Sequence, residues 1–197
     1  STTVTTNATV DVSTRGGTTA YSSSTVTLSN TVNAVNDAPV ASGSATLTAI
    51  DEDTANPSGA TVSSLFSSNF SDSTDTVSGG SSANTLAGIA ITSYTRDATK
   101  GEWQYSTNGS SWTTIGSSIS AASSSLTFKS TDYLRFLPAA NWNGSAPTLT
   151  VALIDSSTTV TTNATVDVST RGGTTAYSSS TVTLSNTVNA VNDAPVA

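Results

Sequence analysis

The chain has 197 residues, 6 Lys+Arg against 13 Asp+Glu, a formal net charge of −7, and no Cys, Met or His. Without Cys there is neither a disulfide framework nor a thiolate metal site, and without His the usual general base and the usual imidazole ligand are both missing. So few cations on an acidic chain argue against nucleic acid or anionic lipid as a partner, and no apolar stretch is long enough to insert into a membrane.

Residues 1–41 reappear letter for letter as residues 157–197, an offset of 156. Such identity marks a tandem array, in which stacking and spacing carry the function. Residues 1–36 are expected to be the C-terminal strands of a preceding, incomplete repeat, and 37–197 one complete repeat ending in the linker to the next. Thr9-Val10-Asp11-Val12 and Thr25-Val26-Thr27-Leu28 step between polar and apolar like half-buried strands, with Arg15-Gly16-Gly17 as a turn between them. Asn36-Asp37-Ala38-Pro39 forms the junction. Its proline lacks an amide hydrogen and holds the preceding residue extended, which suits a stiff link.

Within the complete repeat, strands are expected near 44–50, 61–66, 87–94, 101–106, 111–115, 125–129, 132–137, 147–154, 163–168 and 181–190. A short helical piece is the alternative somewhere between Ala60 and Phe70. Turn signals punctuate these runs at Asn56-Pro57-Ser58-Gly59, Gly79-Gly80, Asn108-Gly109 and Asn143-Gly144, and Asn192-Asp193-Ala194-Pro195 repeats the junction. Charged residues are only 10%, too few for a typical disordered tail, and Thr and Val favour a pleated surface. The expected fold is all-β, a β-sandwich. Because two identical segments compete for one place in a sheet, the duplication also opens a route to a strand-swapped dimer.

The acidic residues gather in loops: Asp51-Glu52-Asp53, then Asp72 and Asp75, with Asp37, Asp155 and Asp193 at strand ends or junctions. Calcium takes six to eight oxygens from carboxylates, carbonyls and amides. Crowded carboxylates repel one another, and a divalent cation turns that repulsion into binding. The competing reading is that these are solvated turn residues, a role Asp and Asn also favour. A glycosidase pair needs two carboxylates facing across a cleft, one of them in an apolar pocket. Ser nucleophiles here lack a His base. The chain is therefore not expected to be an enzyme.

Val32-Asn33-Ala34-Val35-Asn36-Asp37-Ala38-Pro39-Val40 resembles the D-x-N-D-N-A-P linker of cadherin-like repeats, and Asp51-Glu52-Asp53-Thr54 resembles the E-D-T signature of their bacterial tandem forms. Leu134 to Gly144 is similar to their F-x-P-x-x-N-x-N-G strand and turn, and Leu149 to Asp155 to the late strand that ends in a calcium-binding Asp. The resemblance covers most of 37–197 and implies an Ig-like, cadherin-like sandwich. It implies calcium ligands at Glu52, with Asp53 beside it, at Asp72 and Asp75 in the D-x-D-like loop (one residue longer here), and at Asp155. Asn33, Asn36 and Asp37 would be linker ligands, and Asn189, Asn192 and Asp193 the same set for a following repeat. Asn33 stands where the family has its first linker Asp, which removes a charge. The segment 156–180 is longer than the usual late hairpin.

Such repeats occur in large RTX-type surface adhesins of Gram-negative bacteria, exported by type I secretion. The resemblance thus implies an extracellular, cell-surface extender whose partners are neighbouring repeats of the same chain. The rival expectations are a carbohydrate-binding module and a self-associating adhesion module. Ser106-Thr107-Asn108-Gly109-Ser110-Ser111-Trp112 resembles the Asp-box hairpin of sugar-acting proteins, which is usually structural, and packing is the expected role for Trp103, Trp112 and Trp142.

Overall fold

The computed structural model describes residues 3–195, and the chain divides into two compact units, Ser1–Asn33 and Ala34–Ala197. The larger unit opens with short strands: β1 (Val40–Ala41), β2 (Ser44–Thr46), β3 (Ile50–Asp51) and β4 (Ala60–Thr61), then a helical turn α1 (Val62–Phe66) and β5 (Phe70–Ser71). It continues with β6 (Leu86–Tyr94), β7 (Gly101–Ser106), β8 (Thr113–Thr114), β9 (Ser125–Lys129), β10 (Tyr133–Pro138) and β11 (Gly144–Ser145). The last elements are β12 (Leu149–Asp155), β13 (Ala164–Val166), β14 (Val182–Ser185) and β15 (Thr187–Asn189). They assemble into a six-stranded sheet β13-β9-β6-β12-β14-β2, a four-stranded sheet β4-β10-β7-β8, a three-stranded sheet β11-β15-β3 and the pair β1-β5. The fold is an all-β sandwich.

The strand expected over 61–66 is instead a strand residue followed by a helical turn. Thr61 caps it, its Oγ1 accepting from the Ser64 amide at 3.1 Å, and Val62 and Phe66, four residues apart, both enter the core. The expected 181–190 strand is broken at Asn186. That side chain is buried and donates from Nδ2 to the Leu47 and Thr48 carbonyls, at 3.2 and 2.9 Å. The break lets the chain pass from the six-stranded sheet (β14) into the three-stranded one (β15), and its neighbour makes the same passage from β2 to β3.

The core lies between the sheets, where Trp103, Phe128, Phe136, Ile89, Ile91, Leu134, Leu149 and Leu153 are all fully buried. Trp103 packs edge-on to Phe136 at 5.6 Å and donates its indole N–H to the Pro147 carbonyl at 2.6 Å. β6 and β12 are apolar on both faces because the long segment after β12 returns over the outside of the sheet. There Val160, Val168 and Ala176 cover Ala90 and Ile154 in a second, smaller cluster.

β14 runs parallel to β2, and β15 runs parallel to β3. A chain whose first and last strands are parallel neighbours starts at one pole of the sandwich and leaves at the other. Asp155, at the end of β12, takes a bond from its amide to the Ala176 carbonyl, whereas Glu52 donates its amide to the Asn189 carbonyl. At about 3.3 Å per residue, the twelve residue steps from Val40 to Glu52 put the two poles at most roughly 40 Å apart.

The duplication supplies an internal comparison. In both copies the Arg-Gly-Gly turn closes identically, the Gly16 amide donating to the Tyr21 carbonyl and the Gly172 amide to that of Tyr177, each at 2.9 Å. Gly16 and Gly172 have φ of 76° and 77°, a left-handed conformation that glycine adopts without strain. The strands behave otherwise: Val26, Leu28 and Val32 are 96%, 96% and 89% exposed, while their twins Val182, Leu184 and Val188 are 0%, 0% and 2% exposed. No strand forms among the described residues of Ser1–Asn33. A turn is local chemistry; a strand needs a partner.

Candidate metal centre

At the N-terminal pole four stretches converge. Asp72 precedes and Asp75 ends a 3₁₀ turn (Ser73–Asp75), Asn84 precedes β6, Asp155 ends β12, and Asn36-Asp37 leads into the unit. A register shift in the β6–β12 ladder falls between Ile154 and Asp155, so a bulge sets the buried Asp155 side chain at the strand end. Asn84 ties the group together. Its backbone amide donates to Asp72 Oδ2 at 2.6 Å, and its Nδ2 donates to Asp75 Oδ2 at 3.1 Å and to Asn36 Oδ1 at 2.8 Å. Asn36 Nδ2 reaches the Thr175 carbonyl at 3.3 Å and Asp155 Oδ2 at 3.4 Å. The Asp37 amide donates to Asp75 Oδ1 at 2.8 Å, while the Asp37 side chain faces solvent. Asp155 Oδ1 accepts from the Ser157 amide at 2.8 Å.

Asp72 is the odd member. It is 4% exposed, and its Oδ1 is buried without a hydrogen-bond partner. Burial pushes its carboxyl above the ordinary value of 3.8, and the negative charges of Asp75 and Asp155 push the same way, against the Asn84 amide that pulls it down. A buried, unpartnered carboxylate oxygen near two further carboxylates is costly to keep. Oxygen-only donors, carboxylates and side-chain amides, suit a hard cation such as calcium. The carboxylates are held apart by the amides between them: among the described residues, no three acidic side chains have drawn together around one point.

The sign of the Asp72 shift fixes a pH dependence. Its folded pKa lies above its unfolded one, so the native state holds the proton more tightly. Without divalent cation, this residue's contribution to stability is greatest below pH 3.8 and is lost as pH rises through the folded pKa. Asp72→Asn removes that dependence. Urea midpoints measured with pH for the wild type and Asp72→Asn should therefore diverge as pH rises, the variant being the more stable at pH 7.

At the C-terminal pole the buried Glu52 accepts from the Val191 amide at 2.7 Å through Oε1 and from Asn143 Nδ2 at 3.1 Å through Oε2. Asp51 Oδ1 accepts from Asn189 Nδ2 at 3.1 Å, and Asp53 Oδ1 from the Asn141 amide at 2.9 Å. Asn192 and Asp193 continue on the exposed tail. There Asn192 Nδ2 meets the Asp193 carbonyl at 3.2 Å, the contact that Asn36 makes with Asp37 at 3.1 Å.

The expected ligands thus fall into two groups. Asn36, Asp37, Asp72, Asp75 and Asp155 meet at one pole; Glu52, Asp53 and Asn189 sit at the other. Asn33 is an exposed residue of the smaller unit. Asn84 and Asn143, which hold the carboxylates in place, went unnoticed in the sequence because an Asn before a strand or a Gly reads as turn chemistry.

The Asp-box-like hairpin is built from its own polar groups. Asn108 Oδ1 accepts from the Ser110 and Ser111 amides, both at 2.9 Å, and Ser106 Oγ from the Gly109 amide at 2.9 Å. Arg135 lies 4.2 Å over the Trp112 ring and donates to Gln104, Asn56 and the Pro57 carbonyl. Trp142 packs edge-on to Phe136 at 6.2 Å.

No family model matches the chain, and neither the curated proteins nor the solved structures give a match.

Proposed function

We propose that the Ala34–Ala197 unit is a structural extender repeat of a giant bacterial cell-surface adhesin. In this reading it is exported by type I secretion and stiffened by calcium where consecutive repeats meet. It holds distal adhesive domains away from the cell for surface attachment and biofilm formation. Its work is mechanical, and it is not an enzyme. The observation that carries the reading is the placement of two linkers of identical sequence at opposite poles, one beside the buried Asp72, Asp75 and Asp155 and the other beside the buried Glu52.

The repeat identity says what a junction would contain. Val191-Asn192-Asp193 is Val35-Asn36-Asp37 over again. In one role the Val191 amide is held by Glu52; in the other the Asp37 amide is held by Asp75. Between those two amides lie two residues, about 7 Å of chain. Glu52 of one repeat and Asp72, Asp75 and Asp155 of the next would face each other across that gap, with Asn36 and its equivalent between them. A cation there would neutralise carboxylates that otherwise repel one another and would tie one repeat to the next. Extracellular calcium modules commonly bind at about 10⁻⁴–10⁻³ M, which leaves the exported chain loaded and the cytosolic chain free.

Titration calorimetry on the full chain checks the N-terminal pole. Calcium should release or absorb heat saturably in that concentration range, with affinity reduced at least tenfold by Asp155→Asn and left unchanged by Asp97→Asn, a part-exposed carboxylate in the turn after β6, at the opposite end of that strand from Asn84 and Asp155. Equal affinity in all three chains would contradict the assignment.

A further inference from the structure

We propose that residues 26–33 are a donor strand pair for a second copy of this chain, entering the slot that residues 182–189 occupy. The occupant is identified by the structure itself, because the same eight residues are seen seated in that slot. β14 lies between β12 and β2, and β15 between β11 and β3, so the segment is hydrogen-bonded on both sides along two sheets. Val182, Leu184 and Val188 are its anchors in the core. Asn186 adds the bonds to the Leu47 and Thr48 carbonyls, and Asn30 is its twin. The first copy carries every one of these side chains, with its apolar anchors exposed. Shape, register and hydrogen-bond pattern are therefore matched before any encounter.

The donor cannot serve its own repeat while that repeat keeps its leading contacts. Seated in the slot in register, Val35 would take the place of Val191 at Glu52. The next residue, Asn36, is bonded to Asp155 and Thr175 at the opposite pole. One residue spans about 3.8 Å, whereas the slot segment 182–189, which runs from one pole toward the other, alone extends roughly 25 Å. Filling the slot with those contacts intact therefore needs another molecule. The resulting contact is heterologous, a tail-type segment of one copy in the body of another: one-way exchange links copies head to tail, and reciprocal exchange closes two copies into a swapped dimer. The parallel β2/β14 arrangement is what turns a duplicated segment into an intermolecular connector. The inference concerns the slot alone and holds whether or not the junctions bind calcium.

The test uses full-length chains. An acceptor carries Val26→Asp, Leu28→Asp, Val182→Asp and Leu184→Asp, which removes both of its own usable segments. It is diluted from urea together with the wild-type chain, or with a chain bearing Val26→Asp and Leu28→Asp only. The expected result, read by sedimentation and native mass spectrometry, is a complex of acceptor with wild type and none with the donor-defective chain. Leu28→Asp in place of the donor pair should weaken capture at least tenfold. Failure of the wild type to capture the acceptor, including aggregation of the acceptor alone, overturns the proposal, as does equal capture by the donor-defective chain. A milder acceptor, with Thr at the same four positions, must give the same ranking.

Discussion

Leu184→Ala should destabilise the Ala34–Ala197 unit by about 2–5 kcal/mol, whereas Leu28→Ala, the same change in the same sequence context, should stay within about 0.5 kcal/mol. Leu184 is fully buried among the core residues, and Leu28 is 96% exposed. Truncating the first removes transfer free energy and leaves a cavity between the sheets; truncating the second removes nothing that folding had sheltered. Urea unfolding followed by tryptophan fluorescence reads the difference cleanly, because Trp103, Trp112 and Trp142 all belong to the larger unit. Asn186→Leu against Asn30→Leu is the polar counterpart. The former strips the buried Leu47 carbonyl and the part-buried Thr48 carbonyl of their donor at about 1–3 kcal/mol, and the latter is expected to be near neutral. Equal effects at twin positions would mean that both copies occupy a sheet.

Calcium should raise the melting temperature of the chain by about 5–10 °C at a hundredfold excess over its dissociation constant. That excess contributes about 2.7 kcal/mol, and a domain of this size gains roughly 2–4 °C per kcal/mol. Asp72→Asn should shrink the shift while raising the calcium-free melting temperature. It removes a buried charge whose Oδ1 has no partner and which Asp75 and Asp155 repel. Those two signs together separate a cation site from an acidic loop. A structural carboxylate, replaced, would lose stability in both conditions, and a solvated one would change nothing in either. Magnesium, which demands a tighter octahedral shell and dehydrates reluctantly, should substitute poorly.

The sequence displayed the all-β class because Val, Thr and Leu alternate and Asn-Gly or Gly-Gly breaks the runs; β6, β7, β9 and β10 fall within a residue of where that pattern puts them. At 61–66 it left a strand and a short helical piece both open, because Val62 and Phe66 satisfy strand and helix spacing alike; the helical alternative is the one that forms, and only the Thr61 cap decides. The outer cover formed by Val160, Val168 and Ala176 was invisible. Their sparse apolar positions carry no period, although the uninterrupted apolar run of β6 required something to cover its second face. Among the candidate ligands, the acids were legible as clusters. Their division between two poles was not, since it depends on β2 lying parallel to β14, a long-range pairing that composition cannot reveal. Glu52 and Asp72 are twenty residues apart in the chain and belong to opposite ends of the sandwich.

The central claim is that carboxylates at facing poles of consecutive repeats grip calcium and make the array a rod. Small-angle scattering of a three-repeat array tests it most directly. In millimolar calcium the maximum dimension should approach three repeat lengths of roughly 40 Å plus the linkers, and adding chelator should shorten it and broaden the distance distribution. The same maximum dimension and the same distribution with and without chelator would contradict it.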